Sequence, residues 1–131
     1  MIDLSRDEID ELLREQFVGR IGCRDDGEVY VVPIIYAYDG DAFYVASVEG
    51  RKVRAMRTEP RVCFEVDRYA AGSWQSAIVY GRYEELLGDD AERALDLLAA
   101  RFNRERTRAA GPGTVCFRIV VETVTGRAVD R

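Results

Sequence analysis

The sequence predicts a mainly β fold: a small closed barrel of six or seven antiparallel strands with two or three peripheral helices. Three observations carry this prediction. Short β-rich runs recur along most of the chain, turn-forming Asp, Gly and Pro residues separate them, and two stretches show helical periodicity instead. No linker, repeat or low-complexity tract divides the chain, so we expect a single domain over residues 1–131.

The chain begins with a predicted amphipathic helix. Ser5 and Glu8 have the spacing of a capping box, and Ile9, Leu12 and Leu13 fall on one helical stripe. Three β-rich runs joined by Asp-Gly turn signals follow, which predicts an antiparallel meander with strands at about residues 18–24, 28–38 and 42–48.

The run from Val29 to Tyr38 is apolar at both odd and even positions. A strand with one face in water would alternate apolar and polar residues, so we expect both faces of this strand to be covered. Pro33 cannot donate a backbone hydrogen bond to a neighbouring strand. This position is therefore expected at a sheet edge, at a bulge, or where a ligand replaces the neighbouring strand.

The stretch 43–57 predicts a strand that runs into a short helix. Ser47, Gly50, Arg51 and Lys52 lie at the junction. The free N–H groups of the first helical turn, the helix dipole, a hydroxyl group and two cations could together hold a phosphate monoester there. The alternative is that the basic residues form only the solvated face of a short helix.

The second half of the chain predicts further strands and one more helix. That helix is expected to be capped at Asp89 and its acidic neighbours. In order, we expect a half-buried strand, a long strand, the helix, a polar loop and two closing strands, at about residues 62–67, 74–86, 89–102, 103–113, 115–121 and 124–129.

The composition excludes several classes of protein. Hydrophobic residues make up 47% of the chain, enough for a core, and no apolar stretch is long enough to cross a bilayer. The formal net charge of −5 opposes binding to nucleic acid and to anionic lipid. The N-terminal residues lack the order of a signal peptide, and three widely separated cysteines are typical of reduced thiols, so we expect a cytoplasmic protein.

Histidine is absent from the sequence. This excludes Ser-His-Asp and Cys-His catalysis, histidine-ligated zinc and the usual proximal ligand of haem. No other metal motif is present, so no metal site is expected. This one count therefore excludes many classes of enzyme.

In the order of its motifs the chain resembles the pyridoxamine 5′-phosphate oxidase-like flavoproteins, the FMN-binding split-barrel family, and especially their nitroimidazole-resistance-like branch. Each motif alone is weakly specific, but the ordered set covers nearly the whole chain. That branch often has a His-Ser pair where this chain has Ala46 and Ser47, so chemistry that uses this histidine is not implied. After the N-terminal helix, the matching segments are Val18–Gly22, Tyr30–Tyr36, Phe43–Ser47, Glu49–Lys52, Glu59–Asp67, Trp74–Gly81 and Thr125–Arg127.

The resemblance implies a homodimer that holds two FMN molecules between its subunits, each touched by both chains. One chain would hold the ribityl phosphate and line the isoalloxazine edge, and the other would cover the ring or hydrogen-bond to it. The residues implied are Ser47, Gly50, Arg51 and Lys52 for the phosphate, Pro33, Ile34, Ile35 and Tyr36 for the ring edge, and Trp74, Gln75 and Ser76 from the other subunit.

The function we predict is that of an FMN-dependent oxidoreductase, which passes hydride or electrons through flavin N5 between a reduced nicotinamide or small substrate and an acceptor. Such a transfer needs no side-chain base, which suits a chain without histidine, and no motif indicates a catalytic residue or the substrate. Oxidation of pyridoxamine phosphate itself is not expected, because the substrate-binding C-terminal residues of the true oxidase have no match. The alternatives are a non-catalytic flavin or haem protein and a deazaflavin-binding relative.

Overall fold

The computed structural model describes residues 1–106 and 112–129. No helix within these ranges is long and apolar enough to span a membrane. The elements in chain order are β1 (Ile2–Asp3), α1 (Arg6–Glu15), β2 (Val18–Asp25), β3 (Glu28–Ile35), β4 (Ala37–Tyr38), β5 (Ala42–Val48), α2 (Arg51–Thr58), β6 (Arg61–Ala70), β7 (Ser73–Leu86), α3 (Gly88–Arg101) and β8 (Thr114–Val129).

The strands form one antiparallel sheet in the order β3-β2-β6-β7-β8-β5-β4, and β1 pairs with β8 beside this path. Phe43 of β5 and Phe64 of β6 are separated in the sheet by two strands, yet their ring centroids lie only 4.5 Å apart. The sheet must therefore curl around a shared core, in which Tyr36 makes edge-on contacts with both rings. The predicted mainly β barrel of antiparallel strands with peripheral helices is confirmed.

Helix α1 forms as predicted. The Ser5 hydroxyl accepts a hydrogen bond from the Glu8 N–H at 3.2 Å, and the Glu8 carboxylate accepts one from the Ser5 N–H at 2.8 Å. Ile9, Leu12 and Leu13 are buried on the inward side of the helix, which lies against β4, β6 and β7. The capping box fixes where the helix starts, and the apolar stripe fixes which side enters the core.

The predicted cap of α3 is wrong. The helix begins at Gly88, Leu87 occupies the cap position, and no side chain caps it. Asp89 and Asp90 lie instead in the first turn, where their charges favour the positive end of the helix dipole. Gly88 has a φ of +56°, which lets the chain turn directly from β7 into the helix without a polar cap residue.

The two predicted closing strands are one continuous strand, β8. Tyr80 pairs with Thr123 and Gly81 pairs with Val121, so Glu122 is the extra residue of a β-bulge. A bulge shifts the alternation of apolar and polar residues without ending the strand, and the sequence pattern therefore suggested a break. The predicted polar loop at 103–113 lies partly outside the described residues.

Strand β3 is covered on only one side by its own chain, so the expectation that both faces are covered stays a prediction for the second face. Ile34 is buried in the core, whereas Val29 is 75% and Val31 is 61% exposed. Among the described strands β3 pairs only with β2, so Pro33 lies at a sheet edge, which is one of the three alternatives predicted for this position. We call the uncovered surface the outer face, and it comprises Gly22, Val29, Val31, Pro33, Ile35, Cys63 and Tyr80.

Gly81 lies at a position of β7 where the fold leaves no room for a side chain. A Cβ atom there would lie 2.4 Å from the Val120 carbonyl oxygen, a backbone atom that cannot move without disturbing the bulge. We expect Gly81→Ala to lower the free energy of unfolding by about 2 kcal/mol. Gly50→Ala is the control, since no atom lies within 4 Å of its Cβ position and its φ of −161° is extended. Equal unfolding curves for the two variants in denaturant would contradict this packing.

Candidate functional site

The junction between β5 and α2 leaves the start of a helix open. Gly50 is the cap residue of α2 and offers no side-chain hydrogen bond, in contrast to Ser5 at the start of α1. The first turn contains no acidic residue and instead begins with Arg51 and Lys52. Because the N-terminus of a helix carries partial positive charge, this arrangement disfavours the folded helix unless an anion is nearby.

Lys52 turns back toward the end of β5. Its Nζ donates a 2.7 Å hydrogen bond to Ser47 Oγ, and Ser47 Oγ donates one of 2.8 Å to the Val48 carbonyl oxygen. Lys52 forms no ion pair with a described residue, although Asp and Glu outnumber Arg and Lys by 24 to 19 in the sequence. It is also the only lysine in the chain, all other basic residues being arginines. A lone ammonium group is therefore held in place beside the open helix start.

Ser47 and Lys52 form the polar end of a surface cavity of about 490 Å³. The rest of its wall comes from β3, the start of β2 and the end of β5, and is apolar. A cavity of this kind suits a flat apolar group that carries an anion at one end. Its lining residues are Val18, Pro33, Ile34, Ile35, Val45, Ala46, Ser47 and Lys52.

Residues from distant parts of the sequence thus meet in this cavity. The predicted residues that line it are Pro33, Ile34, Ile35, Ser47 and Lys52. Val18, Val45 and Ala46 complete the wall and were not predicted, because strand alternation gives the face of a residue but not the neighbour across the barrel. The unusual use of a single lysine among many arginines is the sequence signal that singles out Lys52.

Arg51 lies outside the cavity. Its guanidinium group binds the carboxylates of Asp25 and Glu28 at 2.5 Å each and stacks over the ring of Tyr30, with 4.2 Å from Cζ to the ring centroid. The hydrogen bonds that Arg51 donates to the carboxylates of Glu28 and Asp25 raise its pKa above the usual value. Arg51 therefore ties the start of α2 to the β2–β3 hairpin, and the adjacent Lys52 is left facing the cavity.

Comparison with known proteins places the chain in a family. The family model described as pyridoxamine 5′-phosphate oxidase matches residues 5–128. The chain belongs to the pyridoxamine 5′-phosphate oxidase family. The predicted resemblance to this family and its split-barrel fold are thereby confirmed.

Solved structures that are similar to this chain support its place in the family. The structure of a FAD-binding protein from Mesorhizobium loti is 36% identical in sequence, with 98% of each chain covered and a TM-score of 0.83. A proposed 5-nitroimidazole antibiotic resistance protein from Bacteroides thetaiotaomicron shares the fold at 22% identity and a TM-score of 0.83, over 97% of this chain and 86% of that one.

One curated relative matches only part of this chain. An uncharacterized protein of Rhizobium meliloti (strain 1021) is 36% identical over 84 residues, which are 63% of this chain. The matched region spans about half of that relative, 56% of its length.

Four other predicted site residues do not line the cavity of the single chain: Tyr36, Trp74, Gln75 and Ser76. The Tyr36 ring is buried in the core, and its hydroxyl donates a 2.8 Å hydrogen bond to the Leu13 carbonyl oxygen. Trp74 is 48% exposed at the start of β7, where Gln75 accepts a hydrogen bond from Arg68. Ser76 lines a separate hollow of about 290 Å³ beside Arg127.

Glu65 lies beside the outer face and has an altered proton affinity. Partial burial and the neighbouring Asp67 raise the pKa of Glu65 to about 7. Arg20 lies 3.6 Å from Glu65 and 3.3 Å from Asp67, so one cation serves two carboxylates. Within the described residues, no group of three or more Cys, Asp or Glu side chains is arranged to hold a metal ion.

The different partners of Arg51 and Lys52 give a testable distinction. We expect Arg51→Gln to lower the melting temperature of the cofactor-free protein, because it removes two ion pairs and a stacking contact that join α2 to the hairpin. High salt should reduce this difference, since exposed ion pairs are screened.

Lys52→Gln is the matched control. It removes one hydrogen bond but also takes a positive charge away from the positive end of α2, so we expect little change in the melting temperature. A larger loss of thermal stability in Lys52→Gln than in Arg51→Gln would contradict the assigned contacts.

Proposed function

We propose that this chain binds a flavin through its FMN unit, with the phosphate at Ser47, Lys52 and the open start of α2. The single observation that carries the proposal is that the chain's only lysine is held beside an uncapped helix N-terminus without a carboxylate partner among the described residues. A phosphate there would receive charge-assisted hydrogen bonds from the ammonium group and from backbone N–H groups.

The apolar wall of the cavity fits the second half of the same ligand. Pro33, Ile34 and Ile35 present a strand edge without charged groups, along which an isoalloxazine ring could lie. The ring's polar atoms could hydrogen-bond to the backbone of this edge strand, which no other described strand of the chain borders on that side. Family membership and a FAD-binding relative that is 36% identical over nearly the whole chain support the choice of a flavin.

We propose that the working unit is a homodimer. The outer face is an apolar surface around a hollow of about 450 Å³, and such a surface is typical of a protein interface rather than of a monomer. A second copy would cover the exposed side of β3. It would also supply Trp74, Gln75 and Ser76 of the partner subunit to a ring that a single chain leaves exposed.

The proposed activity is an FMN-dependent oxidoreductase reaction. When bound, a flavin supplies hydride or electron transfer at N5, for which the donor would be a reduced nicotinamide or a small substrate. The residues of the chain would bind the phosphate, orient the ring against the strand edge and exclude water. Among the described residues that line the cavity, Lys52 is the only ionisable one, and the proposed transfer requires no side-chain base.

We also propose a cytoplasmic location. All three cysteines, Cys23, Cys63 and Cys116, are free thiols in the structure. Unpaired thiols are typical of reducing compartments.

The phosphate site is tested by titrating the purified protein with FMN and following flavin absorbance and fluorescence. We expect saturation at one FMN per chain and a dissociation constant roughly 10- to 100-fold higher for Lys52→Met, the loss expected for a charge-assisted contact. Arg51→Met, which removes the adjacent cation, should have a smaller effect.

A second readout uses the uniqueness of Lys52. Bound FMN should protect this amine from acylation, as followed by peptide mass spectrometry. An equal loss of affinity in the two variants, or an unprotected Lys52 at saturating FMN, would contradict the phosphate position.

The dimer is tested by Val31→Asp, which places a charge in the centre of the outer face. We expect the molar mass from light scattering to fall from that of a dimer to that of a monomer, because an unpaired carboxylate would be buried at the interface. Leu87→Asp is the control, since Leu87 is 77% exposed at the start of α3, away from the outer face. A dimer that persists in Val31→Asp would show that the outer face is not the interface.

A further inference from the structure

The outer face has a central row of residues without charge. Four neighbouring strands each contribute one residue, and these pair directly across the sheet: Val31, Gly22, Cys63 and Tyr80. The two largest side chains, Val31 and Tyr80, are 61% and 55% exposed. Because a continuous uncharged patch that stays in water is typical of an interaction site, this row is suited to burial against a second surface.

The two sides of the central row differ in charge. On the side toward the β2–β3 turn, Arg24 and Arg61 line the hollow of the outer face, and neither forms an ion pair with a described residue. On the other side, Glu65 and Asp67 share one cation, Arg20. The first side therefore has a surplus of positive charge and the second a surplus of negative charge.

Other charged groups near the row do not change this difference. Arg82 also lies on the first side, but Glu122 is 3.9 Å from it and balances its charge. On the second side, Glu65 is incompletely paired, since its Oε1 atom accepts no hydrogen bond from a described residue. The Glu65 side chain is 26% exposed and lines the hollow, so a second cation could reach it from outside the chain.

Strand β6 has both kinds of charge on one line. Arg61, Cys63 and Glu65 are alternate residues of this strand, so they share a face and Cys63 lies midway between the two charges. When two copies of one surface pack face to face, their two-fold axis lies in the plane between them. An axis along the central row would turn the second β6 end for end, with one Cys63 above the other. Each Arg61 would then lie opposite the partner's Glu65.

We propose that two copies of the chain join about a two-fold axis along the central row, so that Arg61 of each pairs with Glu65 of the partner subunit. The inference rests on the proposed homodimer and specifies how its surfaces meet. Each Arg61 supplies the second cation that Glu65 and Asp67 lack. An axis parallel to the strands would instead bring the two basic sides together, and repulsion between their arginines disfavours that arrangement.

The experiment uses two full-length variants with complementary charges. Arg61→Glu and Glu65→Arg should each raise the dissociation constant of the dimer at least about tenfold, because each places like charges opposite each other twice. In a mixture both pairs are attractive again, so native mass spectrometry should find almost only heterodimers. Arg93→Glu is the control, since it changes an exposed arginine of α3, a helix that packs against β4, β5 and β8. It should mix with the wild-type chain at random.

Neutral variants give a milder version of the same test. Arg61→Gln and Glu65→Gln should each weaken the dimer. The double variant should be no weaker than the weaker of the two, because residues that contact each other have non-additive effects. Additive losses would contradict the pairing even if the charge-reversed chains failed to fold.

The pairing also predicts a pH dependence. Within its own chain Glu65 faces Asp67, Arg20 and the thiol of Cys63, and burial and Asp67 raise its pKa to about 7. The partner's Arg61 favours the ionised carboxylate, so dimerisation lowers this pKa and releases protons. The chain has no histidine to titrate in this range. We expect the dissociation constant to rise at least about tenfold from pH 8 to pH 6, and to stay constant in Glu65→Gln.

The outcomes separate this pairing from the homodimer itself. A wild-type dimer whose two charge-reversed variants pair at random, or remain apart when mixed, would overturn the pairing and leave the homodimer intact. A wild-type protein that is monomeric by light scattering would overturn the homodimer, and the pairing with it. Flavin binding is measured separately and decides neither question.

Discussion

The site depends on two positive charges at the positive end of a helix that no side chain caps. Helix α2 begins with Arg51 and Lys52, where the helix dipole disfavours cations. Asp25 and Glu28 neutralise Arg51, whereas Lys52 receives only the neutral hydroxyl of Ser47 among the described residues. The unbalanced charge therefore favours an anionic ligand, and the apolar cavity beside Lys52 favours one whose anion is attached to an apolar group.

The barrel explains how such a site can be built from separate parts of the chain. The sheet curls until Phe43 and Phe64 meet in the core, and the same curl brings the edge strand β3 beside the end of β5. The inner side of β3 is used for the core and its outer side is left apolar and uncovered. If the two proposals hold, one chain contributes half of a ligand site and half of an interface, and each proposal supports the other.

Much of the fold could be predicted from local patterns, because these patterns act within a few residues. The capping box at Ser5, the Asp-Gly turns and the strand-to-helix junction at Ser47 depend on neighbouring residues alone. The start of α3 and the continuity of β8 could not be predicted, because the apolar Leu87 occupies the cap position and the bulge at Glu122 shifts the alternation. For the site, the residue types at the junction indicated a phosphate. The different roles of Arg51 and Lys52 could not be predicted, because the partners of Arg51 are Asp25 and Glu28 of the β2–β3 hairpin, more than twenty residues away in the sequence.

The central claim is that the start of α2 recognises the phosphate of the cofactor. The most direct test is the affinity of the unmodified protein for riboflavin compared with FMN, since the two differ only in that phosphate. We predict that riboflavin binds at least about 100-fold more weakly, the combined value of an ammonium contact and backbone hydrogen bonds. Equal affinities for riboflavin and FMN would contradict the account, because the phosphate would then contribute nothing at the helix start.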